Sequence, residues 1–233
     1  MLWIPRDFWI RLTRKFDFSP RDRGLSIEQK LAFANVLYFH QKEGEIMASI
    51  CKLPENYKES MELNLQKDRS LRYGIAVWAA IIWAVMIYHG NQVQPIRRFW
   101  SGEMHQVAYA FLGIILYMIL HETVHGIFMH FFGGKRPKYG VEGPFTYASS
   151  PIYFRKFQYQ IIALAPTLIW GTVLMILCTM NQQTQWFWTF YLVEIVNITG
   201  AVSDLYVVFR FLMLPKNVLI HDTGTAIIVY GKA

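Results

Sequence analysis

Residues 107–132 read VAYAFLGIILYMILHETVHGIFMHFF, 26 residues in which Glu122 is the single carboxylate and no Lys or Arg occurs. As a helix this stretch spans about 39 Å, more than the roughly 30 Å of bilayer hydrocarbon. No ordinary strand is that long. Inside the apolar run, His121, Glu122 and His125 stand within five consecutive positions. Ionisable groups are costly at membrane depth and by default mark a functional site.

Three further apolar stretches flank it, at about 73–88, 157–180 and 186–214. The third contains Pro166, the fourth stops at Pro215, and Asn181-Gln-Gln-Thr-Gln185 between them is a polar turn. The expected fold is an all-α polytopic membrane protein with about four transmembrane helices. Composition agrees, because 54% of the 233 residues are hydrophobic, 16% aromatic and 17% charged. Soluble domains carry roughly 25% charged residues. A disordered chain, a collagen-like chain and a disulfide scaffold are excluded. The two cysteines, Cys51 and Cys178, form neither a framework nor a C-x-x-C pair.

Charge divides the chain. Thirteen of the 23 Lys/Arg and ten of the 16 Asp/Glu precede residue 73. Residues 1–72 therefore read as a polar cytosolic region, 73–215 as the four-helix membrane domain and 216–233 as a cytosolic tail. The loop 133–156 carries Lys135, Arg136, Lys138, Arg155 and Lys156 against Glu142, whereas the turn at 181–185 carries no charge. Positive residues stay inside. The expectation is a multi-pass protein of the cell membrane with the 133–156 loop and both termini cytoplasmic. The net charge of +7 is then a topology signal rather than a nucleic-acid footprint.

Smaller features complete the outline. Arg6, Asp7, Arg11 and Arg14 interrupt the first apolar residues, so no cleavable signal peptide is expected. That segment reads equally as an interfacial helix or as part of a packed cytosolic cap. Ser26-Ile-Glu-Gln29 has capping-box spacing and predicts a helix over 27–41. Residues 218–221 and 226–230 around Asp222-Thr-Gly-Thr225 predict a β-hairpin. The Gly/Pro-rich 133–156 loop holds strand-like pieces such as Phe145-Thr-Tyr147.

His121-Glu122-Thr-Val-His125 is an H-E-x-x-H motif. Positions i and i+4 project from one helix face, as two imidazole ligands of one Zn²⁺ require, and Glu122 is rotated by about 100° to serve as general base. A chance match in a chain of this composition is on the order of 1%. The competing reading is a helix end at which His and Glu meet water. A catalytic zinc takes a third protein ligand. His130 is one candidate, but the spacing of the extended metzincin pattern is absent, with Phe128 and Phe131 where Gly and His would stand. In the fourth stretch Glu194, Asn197 and Asp204 are the polar residues of interest. Asn197 and Asp204 share a helix face, and the depth of Asp204 permits it to meet His121 and His125. Glu194 would lie about 15 Å further outward, which makes it a secondary candidate. Asp204 also reads as a helix-end partner of Arg210, and Asn197 equally as an interhelical hydrogen-bonding residue.

These residues resemble the intramembrane zinc metalloproteases of the site-2 protease type. More closely, they resemble the small bacterial membrane proteins described as putative zincin peptidases. The resemblance rests on His121–His125, on Asn197-x-x-Gly200-x-x-x-Asp204, on Leu53-Pro54-x-x-Tyr57 and on the ending from Val218 to Tyr230. It implies that His121, His125 and Asp204 ligate zinc, that Glu122 is the general base and that Asn197 contacts the substrate. In site-2-type enzymes the H-E-x-x-H and aspartate helices both run from outside to inside, the direction that the Lys/Arg distribution gives here. The expected function is that of a zinc metalloendopeptidase cutting within or beside the membrane. Its expected partners are the lipid bilayer and a membrane-protein or peptide substrate, with a homo-oligomer compatible and nucleic acid excluded. Two alternatives use the same residues: an interaction protein with a structural zinc site, and a small transporter with Glu194, Asn197 and Asp204 along its pathway.

Overall fold

In a computed structural model the chain divides into Met1–Ala48 and Ser49–Ala233. The residues described are 50–64, 67–100, 104–142 and 145–233. The interfacial segment, the capping box at Ser26 and the helix at 27–41 fall outside them.

Within the second unit, β1 (Tyr57–Leu63) precedes a long helix, α1 (Arg69–Val93), and a short one, α2 (Arg97–Trp100). The motif helix α3 (Met104–Gly133) follows, then β2 (Lys138–Glu142), β3 (Phe145–Ser149) and β4 (Tyr153–Arg155). The remainder is α4 (Lys156–Met180), α5 (Phe187–Gly200), α6 (Val202–Leu212), β5 (Leu219–Asp222) and β6 (Ile227–Lys232). The fold is mostly helical. Among the described residues, four helices are long and apolar enough to cross a membrane, with α5 and α6 together making the fourth.

Local chemistry sets the helix ends. Asp68 caps α1, its carboxylate accepting the Leu71 amide at 3.0 Å. Gln94 stops α1 immediately before Pro95. At the end of α3, Gly134 adopts φ +66° and its amide returns to the His130 carbonyl at 2.7 Å, a left-handed C-terminal cap. The first helix is longer than the apolar stretch at 73–88, because hydropathy does not register its polar ends around Arg69 and Asn91. The fourth stretch differs more. The single helix read over 186–214 is divided at Ala201, and Asp204 lies in the first turn of α6.

The all-α expectation is also modified by two sheets. One is four-stranded and antiparallel in the order β1-β6-β5-β4, and β2 and β3 form a separate hairpin. The β5–β6 hairpin was legible in sequence, but its pairing with β1 joins Leu63 to Ile227 across the intervening helices. Phe154, Phe211 and Ile220 are fully buried where this sheet meets α4 and α6. Each such side chain contributes about 1.5–3 kcal/mol through burial.

At the opposite end, Phe187, Trp188 and Tyr191 pack with Phe99 and Ala110. Gly90 makes this closeness achievable for α1: a Cβ there would overlap the Tyr191 ring and lie 2.9 Å from Trp188 Cη2. The Trp188 indole donates to the Gln94 carbonyl at 3.0 Å, fastening the end of α1. Outward-facing residues of α1, including Trp78, Ile81 and Val85, are exposed.

Candidate metal centre

Helix α3 carries His121, Glu122 and His125 with one ligand atom from each within 4.8 Å of the others. The two imidazoles meet edge to face, with ring centroids 4.9 Å apart. Asp204 reaches the same place from α6. Its Oδ2 lies 3.4 Å from His121 Nε2 and 3.8 Å from His125 Nε2. Two ligand atoms bound at 2.0–2.1 Å to a tetrahedral zinc are separated by roughly 3.3–3.4 Å. The observed separations are therefore close to those of ligands around one ion. The division of the fourth helix puts Asp204 near the positive N-terminal end of α6, a favourable place for a carboxylate.

Hydrogen bonds at the far side of each ring establish which nitrogen faces the centre. His125 Nδ1 is 2.8 Å from the Ile162 carbonyl, so it carries the hydrogen and leaves the lone pair on Nε2. That carbonyl is available because residue 166 is proline. Pro166 has no N–H to return to Ile162, four positions earlier in α4. A proline that interrupts the helix ladder thus provides the acceptor that orients a histidine on α3. His121 Nδ1 lies 2.7 Å from the Tyr117 hydroxyl, one turn earlier on its own helix. Both Nε2 atoms point toward Asp204, and the donor set of two imidazoles and a carboxylate fits Zn²⁺.

The backbone amide of Ala148 on β3 lies beside the Glu122 carboxylate. The site opens on a cavity of about 530 Å³ lined by His121, Glu122, His125 and Asp204, with Tyr147 and Asp222 on the strand side. This volume lies within the usual range for a small ligand or a short peptide segment.

The other sequence candidates lie elsewhere. His130 is exposed and bonds the Lys135 carbonyl at 3.1 Å, at the α3 terminus. Asn197 is fully buried; its Oδ1 accepts the Tyr117 hydroxyl at 2.9 Å and its Nδ2 donates to Glu194 at 3.0 Å. Neither Asn197 nor Glu194 lines the cavity.

Two site residues were missed by sequence reading. Tyr117 looked like one more apolar-stretch aromatic, although its spacing of four from His121 was an available signal. Asp222 was read only as part of a turn. It is buried, accepts the Tyr159 hydroxyl and holds the Gly224 amide at 2.8 Å. Burial pushes its carboxyl above the ordinary range, against the lowering effect of those two hydrogen bonds.

Fold and site together define the class: an H-E-x-x-H centre on a long apolar helix, with a carboxylate from a later helix beside it. Residues 114–219 match the family described as putative zincin peptidase. The matched segment contains His121, Glu122, His125, Asn197 and Asp204. Zinc is the metal that this family implies, and the His-Glu-His group fits it. No curated protein and no solved structure matches the chain.

Proposed function

We propose that the chain is a zinc-dependent endopeptidase of the site-2 protease type that cuts a membrane-associated substrate within or beside the bilayer. The observation that carries this reading is the convergence of His121, His125 and Asp204 beside Glu122 at a cavity wall. Depth supports the intramembrane placement. His125 is eight residues before the end of α3 at Gly133, about 12 Å along the axis. Strands β3 and β5 and the turn after β5 border the cavity and would admit water from the polar side.

Bound here, zinc supplies Lewis-acid polarisation of the scissile carbonyl and makes a water proton removable near neutral pH. His121, His125 and Asp204 hold the ion. Glu122 takes the proton from the attacking water and delivers it to the leaving amine. Apolar wall residues such as Met118 and Val196 accommodate an apolar peptide segment.

The test measures zinc content and cleavage of a model transmembrane peptide by the detergent-purified chain. Wild type is expected to hold stoichiometric zinc. Asp204→Ala should lose most of it at matched folding. Glu122→Gln should retain zinc and lose cleavage by about 10²–10⁴-fold. Undiminished cleavage by Glu122→Gln would sink the mechanism, and full zinc in Asp204→Ala would remove that residue from the metal.

A further inference from the structure

Behind His121 runs a chain of buried polar groups with a determinate direction. Glu194 lies on α5 with 6% of its surface exposed, and its Oε2 is 3.0 Å from Asn197 Nδ2. At alkaline pH, where Glu194 is ionised and its carboxylate only accepts hydrogen bonds, the Asn197 amide must turn its NH₂ toward Glu194 and its oxygen toward Tyr117. The Tyr117 hydroxyl has one hydrogen. It donates that hydrogen to Asn197 Oδ1 at 2.9 Å, which leaves only its oxygen lone pairs for His121 Nδ1 at 2.7 Å. The hydrogen between His121 and Tyr117 therefore belongs to His121. Each link forces the next, from Glu194 through Asn197 and Tyr117 to the imidazole.

We infer that Tyr117, Asn197 and Glu194 are positioning residues: their directional hydrogen-bond chain keeps the His121 hydrogen on Nδ1 and presents the Nε2 lone pair to the metal site. The inference rests on His121 being a metal ligand. It gives Asn197 a place behind the histidine instead of against the substrate, in keeping with its full burial and absence from the cavity wall. His125 needs no such chain, because a backbone carbonyl, which can only accept, determines its tautomer directly. The two histidines thus reach the same presentation by different means, one through a peptide oxygen and one through three side chains on two helices.

Nitrogen NMR of the full chain with isotope-labelled histidine, metal-free and at alkaline pH, reads which nitrogen of each ring bears the hydrogen. Wild type should show His121 and His125 both with hydrogen on Nδ1. Tyr117→Phe removes the acceptor, and Glu194→Gln keeps the shape but offers oxygen or NH₂ to Asn197. In both variants the His121 hydrogen should redistribute toward Nε2 while the His125 signal stays fixed, which also reports intact folding. Zinc affinity by chelator competition should fall about 10–100-fold in Tyr117→Phe. Hydrogen on Nε2 of His121 in wild type would overturn the inference. So would variants that lose affinity with the His121 tautomer unchanged, since that result describes packing alone. Wild-type zinc affinity in a His125→Ala chain would instead defeat the metal-site reading, while the tautomer of metal-free His121 still decides the direction of the chain.

Discussion

At the scale of single residues, Pro166 has two opposed effects. It removes one hydrogen bond from α4 and, by doing so, leaves the Ile162 carbonyl available to His125. Pro166→Ala restores an N–H that competes for this oxygen. The variant is expected to unfold at higher temperature, because proline costs a helix interior about 3 kcal/mol, and yet to bind zinc about tenfold more weakly. Thermal unfolding and chelator competition on the same preparation check both signs, and stability and affinity rising together would dismiss the link. The residues legible in sequence were those whose chemistry is local. His121, Glu122 and His125 announce themselves by spacing within one helix. Asp204 was reachable only through an argument about depth, because no sequence interval encodes a meeting of two helices. Tyr117 and Asp222 act through partners 80 and 63 positions away, Asn197 and Tyr159 respectively; the spacing of four from His121 was the local signal for Tyr117, and nothing near Asp222 distinguishes it from a turn aspartate.

At the scale of elements, the N-terminus of α1 is governed by one exposed carboxylate. The Leu71 backbone amide, and after it the Ser70 hydroxyl, hold Asp68 below its ordinary value of 3.8. A lowered value means that the unfolded cap binds protons more readily, so the cap contributes above that ordinary value and is lost as pH falls through the folded one. Amide exchange at Leu71, corrected for its intrinsic rate, should accelerate on acidification in wild type. Asp68→Asn keeps an acceptor oxygen and should abolish this dependence. An identical acid response in Asp68→Asn would assign the fraying to another group. Helices of this kind were legible because long, nearly uncharged apolar runs leave few alternatives to a span. Strands β1 and β4 were not, unlike the β5–β6 hairpin and the Phe145–Tyr147 piece. β4 has only three residues, β1 runs through three successive polar residues at Lys58-Glu59-Ser60, and their partners β5 and β6 lie tens to well over a hundred residues away. The division at Ala201 was equally silent, since Gly200 and Ala201 are common inside membrane helices and hydropathy is unaffected by a one-residue break.

At the scale of the whole molecule, the sheet gathers segments that begin before α1 and end after α6 at one end of the helices. With four spans, the 181–186 turn should lie on the opposite membrane face. Cys51 is exposed and Cys178 is buried, which provides a direct probe of sidedness. In intact cells a membrane-impermeant maleimide should spare Cys51 and label a cysteine placed at Gln183 in a Cys178→Ser background. The reverse pattern would invert the topology inferred from Lys and Arg. The register that joins Leu63 to Ile227 carries a consequence for biosynthesis. When β1 leaves the ribosome its partner does not yet exist, and all four candidate spans must be synthesised before the matching strand is translated. During that interval β1 waits as an open edge, and the strand wall of the cavity is incomplete. Closure of the sheet is a late event in the life of each chain, so the cleft of the proposed peptidase is completed only after all four candidate spans have been synthesised.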